Sequence, residues 1–440
     1  MILYSTKNKK EKVTFCEAVI KGIPNEGGLF MPESFPTMPN SFFKNAHSMS
    51  FPELSYMIAS VLLDGEIDSH SLKAIIDRAF NFEIPLKQIH NNIHVLELFH
   101  GPTLAFKDIG ARFMAGILQY INNKKQENRV ILAATSGDTG SAVANAFLNV
   151  PGIKVILLYP SGKVSKIQEQ QLTTLGNNVI ALEVTGTFDH CQKLVKEAFA
   201  DSLLSKKLNL TSANSINIAR LLPQSFYYHY AYSRLINKVG RDLKSNKIVF
   251  SVPSGNLGNL TGGLIAQKMG LPVNKFIAAV NANRIIPNYL ETGTFAPAPS
   301  IQTVSNAMDV GNPSNFERVM EIVNNNHSKA AKILFSRSYS NEQTIETITN
   351  IKKDYNYLLD PHGAVGYLAI EDYIKNYPEQ TPFILLETAH PAKFATIIEQ
   401  ASVELPKIPE RLEKCLNKEK KSIPISAQIK DFKDFLYSLS

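Results

Sequence analysis

The sequence is poor in the residues that build disulfide frameworks and metal centres. Its three cysteines, Cys16, Cys191 and Cys415, are isolated and form no CxxC pair, and its histidines show no metal-ligand spacing. This pattern argues against a disulfide-stabilised secreted domain and indicates a reducing compartment. We therefore expect no bound metal.

Long apolar runs and a strong charge imbalance are also missing. The opening residues, MILYSTKNKKEK, lack the apolar core of a secretion signal, and no run approaches membrane-spanning length. The net charge of +7 reflects a mild excess of 46 Lys and Arg over 39 Asp and Glu. The short basic clusters are typical of solvated termini. We expect a cytoplasmic protein that binds neither nucleic acid nor membrane, and an anionic small-molecule substrate would suit its charge.

What the chain does contain is an alternation of short β-branched runs with helical segments. With 440 residues and 44% hydrophobic composition, it can form two or three domains. The apolar runs RVILAAT, KVILLYP, NVIALEV, KIVFSVPSG, KFIAAVNAN and PFILLETAH alternate with helical patterns, as in parallel α/β sheets. We predict a mostly helical domain over residues 1–90 and α/β domains over 91–225 and 226–440. Residues 284–325 are expected to be irregular, and the tail after Pro406 peripheral.

The segment HGPTLAFKDIGARF contains a lysine with no obvious structural role. Apolar side chains recur every four residues after Asp108, which predicts a helix that starts after Lys107 with Asp108 as its N-cap. An amine near a helix N-terminus that is shielded from water loses its proton more easily, as imine formation with an aldehyde requires. Most lysines at such positions are ordinary solvated residues, so Lys107 is only a candidate nucleophile at this point.

Two turns of small residues follow predicted strands. In SGDTGSA, unpaired N–H groups at a helix start could bind an anion, or Asp138 could be a simple cap. SGNLGNLTGG does not match the dinucleotide fingerprint GxGxxG, and no acidic residue that could bind a ribose follows in the right place. Its residues 254–259 suit a small phosphorylated cofactor, with a plain glycine-rich connection as the alternative.

Two further segments place polar groups at predicted strand ends. NSINIAR supplies Asn214, Ser215 and Arg220, and arginine suits bidentate phosphate binding, although such a segment is more often a surface loop. Thr388 follows the last apolar run, where its hydroxyl could face a ring nitrogen or cap a helix. Ligands of parallel sheets gather beyond the carboxyl ends of the strands. A lysine, a phosphate-type loop and two anion-receptive turns at such ends together indicate a pyridoxal phosphate enzyme.

The motifs GGLFMP, HGPTLAFKD, SGDTGSA, NSINIAR, VPSGNLGNLTGG, DPHGAVGY and ETAHPAKF follow one another along most of the chain. In these motifs the chain resembles the threonine synthases, in the microbial and fungal branch of the fold type II pyridoxal phosphate enzymes. The resemblance implies a tryptophan synthase β-like fold, with two open twisted α/β domains that carry helices on both faces and a mostly helical N-terminal extension. It also implies conversion of O-phospho-L-homoserine and water to L-threonine and phosphate, by γ-elimination and β-addition of water, as the last step of threonine biosynthesis.

The same resemblance implies roles for individual residues. Lys107 would form the Schiff base with pyridoxal phosphate, Thr388 would hydrogen-bond the pyridine nitrogen, and Asp138 would lie near the phenolic oxygen. The cofactor phosphate would be cradled by the glycine loop, which consists of Ser254, Gly255, Asn256, Leu257, Gly258 and Asn259. The substrate phosphate would be bound by polar groups of the other two turns, namely Ser136, Thr139, Asn214, Ser215 and Arg220.

Other functions remain open on the sequence alone. A serine or threonine dehydratase or a sulfhydrylase of the same fold is the main competing enzyme, and NSINIAR argues against it because these enzymes need no second phosphate site. A catalytically silent binding protein is a further alternative, against which the intact Lys107 speaks. We expect a monomer or small homo-oligomer. We expect no regulation by adenosylmethionine, since the branch with that site is organised differently at its N-terminus.

Overall fold

The computed structural model describes residues 1–135, 137–239, 248–378 and 381–439. Its strands are β1 Ile2–Ser5, β2 Lys12–Thr14, β3 Phe30–Pro32, β4 Leu86–His90, β5 Ile93–Glu97, β6 Arg129–Ala134, β7 Ile153–Pro160, β8 Val179–Thr185, β9 Leu210–Ser212, β10 Ile248–Pro253, β11 Val273–Val280, β12 Leu334–Ser338, β13 Phe383–Glu387 and β14 Ile423–Ser426.

Helices connect almost all of these strands. The α-helices are α1 Phe15–Lys21, α2 Asn40–Asn45, α3 Phe51–Leu62, α4 Ser69–Ala79, α5 Lys107–Lys125, α6 Asp138–Phe147, α7 Lys166–Thr173, α8 Phe188–Ala200, α9 Ser202–Leu208, α10 Ile218–Leu221, α11 Phe226–Val239, α12 Gly258–Lys268, α13 Ile285–Thr292, α14 Phe316–Ile322, α15 His327–Ile333, α16 Asn341–Tyr355, α17 Pro361–Asn376, α18 Ala395–Gln400, α19 Glu410–Leu416 and α20 Ile429–Tyr437. Short 3-10 helices span Ala46–Ser48, Leu222–Ser225, Asn306–Met308 and Pro391–Phe394.

Two large sheets form the body of the molecule. One has six strands in the order β12-β11-β10-β13-β5-β4, parallel except for the antiparallel edge pair β4 and β5. The other has five parallel strands in the order β14-β8-β7-β6-β9. The predicted α/β class is confirmed, and the six apolar runs correspond to β6, β7, β8, β10, β11 and β13. Every residue of β6, β10 and β13 is buried, as expected for parallel strands with helices on both faces.

The predicted domain ranges do not coincide with the two sheets. The boundary at residue 90 separates β4 from β5, although the two strands are neighbours in the six-stranded sheet, where β5 also pairs with β13. Conversely, β14 from the end of the predicted 226–440 domain pairs with β8 in the five-stranded sheet. A parallel sheet accepts strands from distant parts of the chain, so composition shifts along the sequence do not reveal which sheet a strand joins.

Three regional predictions also need correction. The first 80 residues are mainly helical but contain a three-stranded antiparallel sheet, β2-β1-β3. Residues 284–325 include helices α13 and α14, so only their middle part is irregular. The tail after Pro406 is not peripheral, because Phe432 and Leu436 of α20 are fully buried against the five-stranded sheet. Their burial explains why the tail folds onto that sheet.

The helices are moderate in length and polarity. Within the ranges that the structure describes, none is both long and apolar enough to cross a lipid bilayer.

Candidate active site

A cavity of about 740 Å³ lies where strands of both sheets end. The ends of β6, β7 and β10 and the residues after β9 and β13 contribute to its walls. It is lined by these predicted site residues: Lys107, Asp138, Thr139, Asn214, Ser215, Arg220, Ser254, Gly255, Asn256, Leu257, Gly258, Asn259 and Thr388. The remaining predicted residue, Ser136, lies outside the described part of the chain.

Lys107 is the first residue of α5, and its side chain is 16% exposed. Its Nζ lies 5.0 Å from the centre of the Phe106 ring and 4.0 Å from Oδ2 of Asp138. Burial lowers the pKa of this amine, the carboxylate of Asp138 opposes the shift, and the cations Lys393 and Arg220 add to it. The Lys107 amine therefore loses its proton more easily than the amine of an exposed lysine.

Asp108 does not act as the predicted N-cap of α5. That position is occupied by Phe106, and Asp108 lies within the first helical turn. Its buried carboxylate accepts hydrogen bonds from the backbone N–H and the hydroxyl of Thr103, at 2.8 and 2.7 Å. The carboxylate thus folds the preceding loop back onto the helix start, which fixes the position of Lys107.

Asp138 is the first residue of α6, and Gly137 rather than Asp138 occupies the N-cap position. Its Oδ1 accepts hydrogen bonds from Nζ of Lys393 at 2.5 Å and from Nε2 of Gln168 at 3.0 Å. Burial alone would raise the pKa of this carboxyl, but Lys393 and Lys107 together hold the pKa well below its usual range. Asp138 is therefore a buried carboxylate between two amines, rather than a simple helix cap.

The predicted cofactor-phosphate loop precedes α12. Leu257 is in the left-handed region, with φ of 59°, and it occupies the N-cap position without a side-chain cap. The backbone N–H groups of residues 255–259 have no acceptor among the described residues. Because unpaired N–H groups at a helix N-terminus bind anions, a phosphate fits this loop.

Close packing around the loop requires its first glycine. A Cβ atom on Gly255 would lie 2.8 Å from both the carbonyl oxygen of Ala307 and Cα of Met308. Asn259, whose Oδ1 accepts hydrogen bonds from the Tyr227 and Tyr228 hydroxyls, has a buried Nδ2 without a partner among the described residues. A phosphate oxygen in the cavity would accept a hydrogen bond from this unsatisfied donor.

Thr388 follows β13 and faces the start of α5. Its carbonyl oxygen accepts a hydrogen bond from the N–H of Phe106 at 2.8 Å, and Ala105 and Ala389 form an isolated β-bridge. These bonds hold Lys107 and Thr388 on neighbouring walls. Within the described residues, the Thr388 hydroxyl has no hydrogen-bond partner, so it can serve a ring nitrogen in the cavity.

The turn that contains Asn214, Ser215 and Arg220 adjoins the glycine loop. Asn256 Nδ2 donates a hydrogen bond to Ser215 Oγ at 2.8 Å. Oδ1 of Asn214 is buried, and no donor for it occurs in the described part of the chain. The two predicted phosphate sites therefore lie side by side rather than far apart.

Arg220 is only 3% exposed, yet it lines the cavity. Its Nη1 donates a hydrogen bond to the carbonyl oxygen of Ala213, while its Nε has no partner among the described residues. Burial lowers the pKa of the guanidinium to about 10, so it is still charged at neutral pH. A buried cation with a free donor is suited to an anionic ligand.

Sequence reasoning missed three polar residues of this region. Lys393 lies in the 3-10 helix after β13 and Gln168 lies in α7, and both contact Asp138. His362 at the start of α17 contacts Asp360 Oδ1 through Nδ1 at 3.1 Å and accepts a hydrogen bond from the Ala307 N–H at 3.2 Å. Lys393 and His362 stand in the segments ETAHPAKF and DPHGAVGY, and only this signal could have drawn attention to them.

Three protein-family models cover almost the whole chain. Residues 3–80 match the family described as threonine synthase N terminus, and residues 81–386 match the family described as pyridoxal-phosphate dependent enzyme. Residues 363–436 match the family described as threonine synthase, C-terminal.

Individual proteins agree with the family matches. The chain is 43% identical to threonine synthase of Haemophilus influenzae, over 94% of each chain. It is 37% identical to that of Saccharomyces cerevisiae, over 95% of this chain and 93% of the relative. The crystal structure of threonine synthase from Escherichia coli superposes with a TM-score of 0.92 at 38% identity, covering 100% of both chains. A structure of pyridoxal phosphate-bound threonine synthase from Brucella melitensis gives 0.93 at 31% identity, covering 100% of this chain and 99% of that chain.

Proposed function

Because the chain belongs to the threonine synthase family of pyridoxal phosphate-dependent enzymes, we propose that its substrate is O-phospho-L-homoserine, bound in the cavity between the two sheets. The protein is a lyase, and its cofactor is pyridoxal 5'-phosphate. The proposed reaction converts the substrate and water to L-threonine and phosphate.

The choice of substrate rests on one observation: two adjacent parts of one cavity each suit a phosphate group. The N-terminus of α12 offers backbone N–H groups to the cofactor phosphate. Arg220 offers a buried charge beside Lys107, and its Nε has no hydrogen-bond partner in the described part of the chain. The substrates of a dehydratase or sulfhydrylase, namely serine, threonine or acetylserine, carry no phosphate group that the second place could bind.

The residues of this chain fit roles in such a reaction. When bound, pyridoxal phosphate supplies a conjugated ring that accepts negative charge from the substrate carbons. Lys107, with its lowered pKa, is the amine that attaches the cofactor and then moves the proton at the α-carbon. Thr388 and Asp138 line the same cavity; Thr388 would present an uncharged hydroxyl to the ring nitrogen, and Asp138 would lie near the phenolic oxygen.

The second phosphate place belongs to the leaving group. Arg220 would hold the γ-phosphate of the substrate and stabilise the charge that develops as it departs. We propose that Thr139, Asn214 and Ser215, which line the same cavity, complete its binding. Ser136 has the same proposed role, although it lies outside the described residues.

The test is a matched set of assays on one preparation. Purified protein with pyridoxal phosphate should release phosphate from O-phospho-L-homoserine and form threonine in equal amounts. L-Serine, L-threonine and O-acetyl-L-serine with sulfide serve as competing substrates. Phosphate release without threonine, or faster turnover of a competing substrate, would contradict the proposal. The monomer or small homo-oligomer that we expect stays a prediction for analytical ultracentrifugation.

A further inference from the structure

A buried ion pair stands directly behind the Lys107 amine. Lys393 is fully buried, and its Nζ lies 2.5 Å from Oδ1 of Asp138, whose side chain is 3% exposed. The same Nζ also donates a hydrogen bond to the carbonyl oxygen of Thr103 at 3.1 Å. Oδ2, the other oxygen of Asp138, lies 4.0 Å from Nζ of Lys107. One carboxylate therefore lies between two amines.

A buried ion pair of this kind contributes little to the net stability of a fold. Taking an ammonium and a carboxylate out of water costs several kcal/mol per ion, and well-packed apolar residues often replace such pairs without loss. The two partners also come from elements far apart in sequence, the start of α6 and the 3-10 helix after β13. An effect of the pair on the neighbouring Lys107 amine would explain its presence better than a contribution to stability.

We propose that Lys393 is a positioning residue that binds and neutralises Asp138, so that the Lys107 nitrogen keeps a low affinity for protons. The proposal rests on the assignment of Lys107 as the cofactor lysine in the proposed function. Without Lys393, the full negative charge of Asp138 would act on Lys107, and the proton would stay on its nitrogen at higher pH.

Among the described residues, the charged groups with the largest effects on the Lys107 nitrogen are Asp138, Asp360, Lys393 and Arg220. Burial is the main cause of its lowered pKa; Asp138 and Asp360 raise the pKa, while Lys393 and Arg220 lower it. Removing Lys393 takes away one repelling charge and exposes one attracting charge, and both changes act in the same direction. The sign of the expected effect is therefore fixed by the geometry.

The test follows the visible absorbance of the holoenzyme as a function of pH, which reports the proton on the nitrogen that joins Lys107 to the cofactor. Lys393→Met should raise the proton affinity of this nitrogen about tenfold, one pH unit in the midpoint. Lys393→Arg keeps the charge and should recover most of the wild-type midpoint. Lys433→Met removes a partly exposed lysine that pairs with Asp201 at 2.7 Å and does not line the cavity, and it should leave the midpoint unchanged.

The double variant Lys393→Met/Asp138→Asn provides the second measurement. It removes one attracting and one repelling charge and leaves no lone buried ion, so it should fold even where the single variant does not. Its midpoint should return towards the wild-type value. A midpoint that differs from the wild-type value by about one pH unit or more, a tenfold change in proton affinity, would overturn the proposal.

The outcomes separate this inference from the proposed function. An unchanged or lowered midpoint in Lys393→Met, with normal wild-type phosphate release, overturns the role of Lys393 alone. A wild-type protein that releases no phosphate from O-phospho-L-homoserine overturns the proposed function instead. A purely structural role would lower the unfolding temperature of Lys393→Met without moving the midpoint.

Discussion

Replacing Arg220 by methionine tests the second phosphate place directly. Methionine keeps much of the apolar stem but removes all guanidinium donors and the buried charge. In the protein, one donor binds the carbonyl oxygen of Ala213, and Nε has no partner among the described residues. The variant therefore removes one structural hydrogen bond and the proposed substrate contact.

The two losses affect different properties, namely turnover and the stability of the fold. A charge-assisted hydrogen bond to a phosphate dianion is worth about 2 to 3 kcal/mol, which corresponds to a fall of about 30- to 150-fold in kcat/KM. The bond to Ala213 joins a buried charged group to a backbone carbonyl, and its loss costs about 1.5 to 3 kcal/mol. Removing a desolvated charge offsets part of that cost, so we expect a folded variant with impaired turnover.

The assay compares three quantities in wild-type and variant protein. We expect kcat/KM for O-phospho-L-homoserine to fall and inhibition by inorganic phosphate to weaken by a similar factor. The dissociation constant of pyridoxal phosphate should change less than about threefold, because we propose that the cofactor phosphate binds to the backbone of residues 255–259 instead. Arg112→Met is the matched control, since Arg112 also lies near α5's start and donates to a backbone carbonyl, that of Ala79, but does not line the cavity.

Two results would refute this assignment. Unchanged kcat/KM would place the substrate phosphate elsewhere in the cavity. An equal loss of cofactor affinity and turnover would mean that Arg220 supports the whole site as a structural residue.

Three further predictions address the cofactor lysine, the glycine loop and the tail. Lys107→Ala should abolish turnover while the fold survives, and borohydride reduction of the wild-type holoenzyme followed by peptide mapping should label Lys107; a label on another lysine would contradict the assignment. Gly255→Ala places a Cβ 2.8 Å from the Ala307 carbonyl oxygen, so we expect cofactor affinity at least about tenfold weaker by absorbance titration, corresponding to about 1.4 kcal/mol or more. Phe432→Ala should lower the free energy of unfolding by about 3 to 5 kcal/mol in denaturant titrations, because the ring is fully buried; a loss below about 1 kcal/mol would contradict its role in the core.

The parts of the fold that could be predicted are those with a strong local signal. The six buried strands appear in the sequence as continuous β-branched runs, since both faces of a parallel sheet are covered. By contrast, β9 has three residues, and β12 ends in the exposed Arg337 and the half-buried Ser338, so neither stands out from the surrounding helices. The partners of β5 and β14 depend on long-range contacts, which no local pattern records.

The same distinction applies to the candidate site. Lys107 and the glycine loop stand in motifs whose residue types indicate their chemistry, and the cavity contains them. Lys393 could not be found in this way, because its partner Asp138 is 255 residues away in sequence. Asp108 shows the opposite error: its type and position favoured an N-cap, but its carboxylate binds Thr103 in the folded protein.

The place of β5 in the six-stranded sheet has a consequence for synthesis on the ribosome. This strand lies between β13 and β4, and its residue Ile93 pairs with Phe383. At about 5 to 20 residues per second, the ribosome needs roughly 15 to 60 s to produce β13 after β5. During that interval β5 has one free edge, formed by the apolar residues of IHVLE, and such an edge can pair with other chains. We therefore expect nascent chains that end before residue 383 to need chaperone protection. This need should end once β13 has left the ribosome and paired with β5.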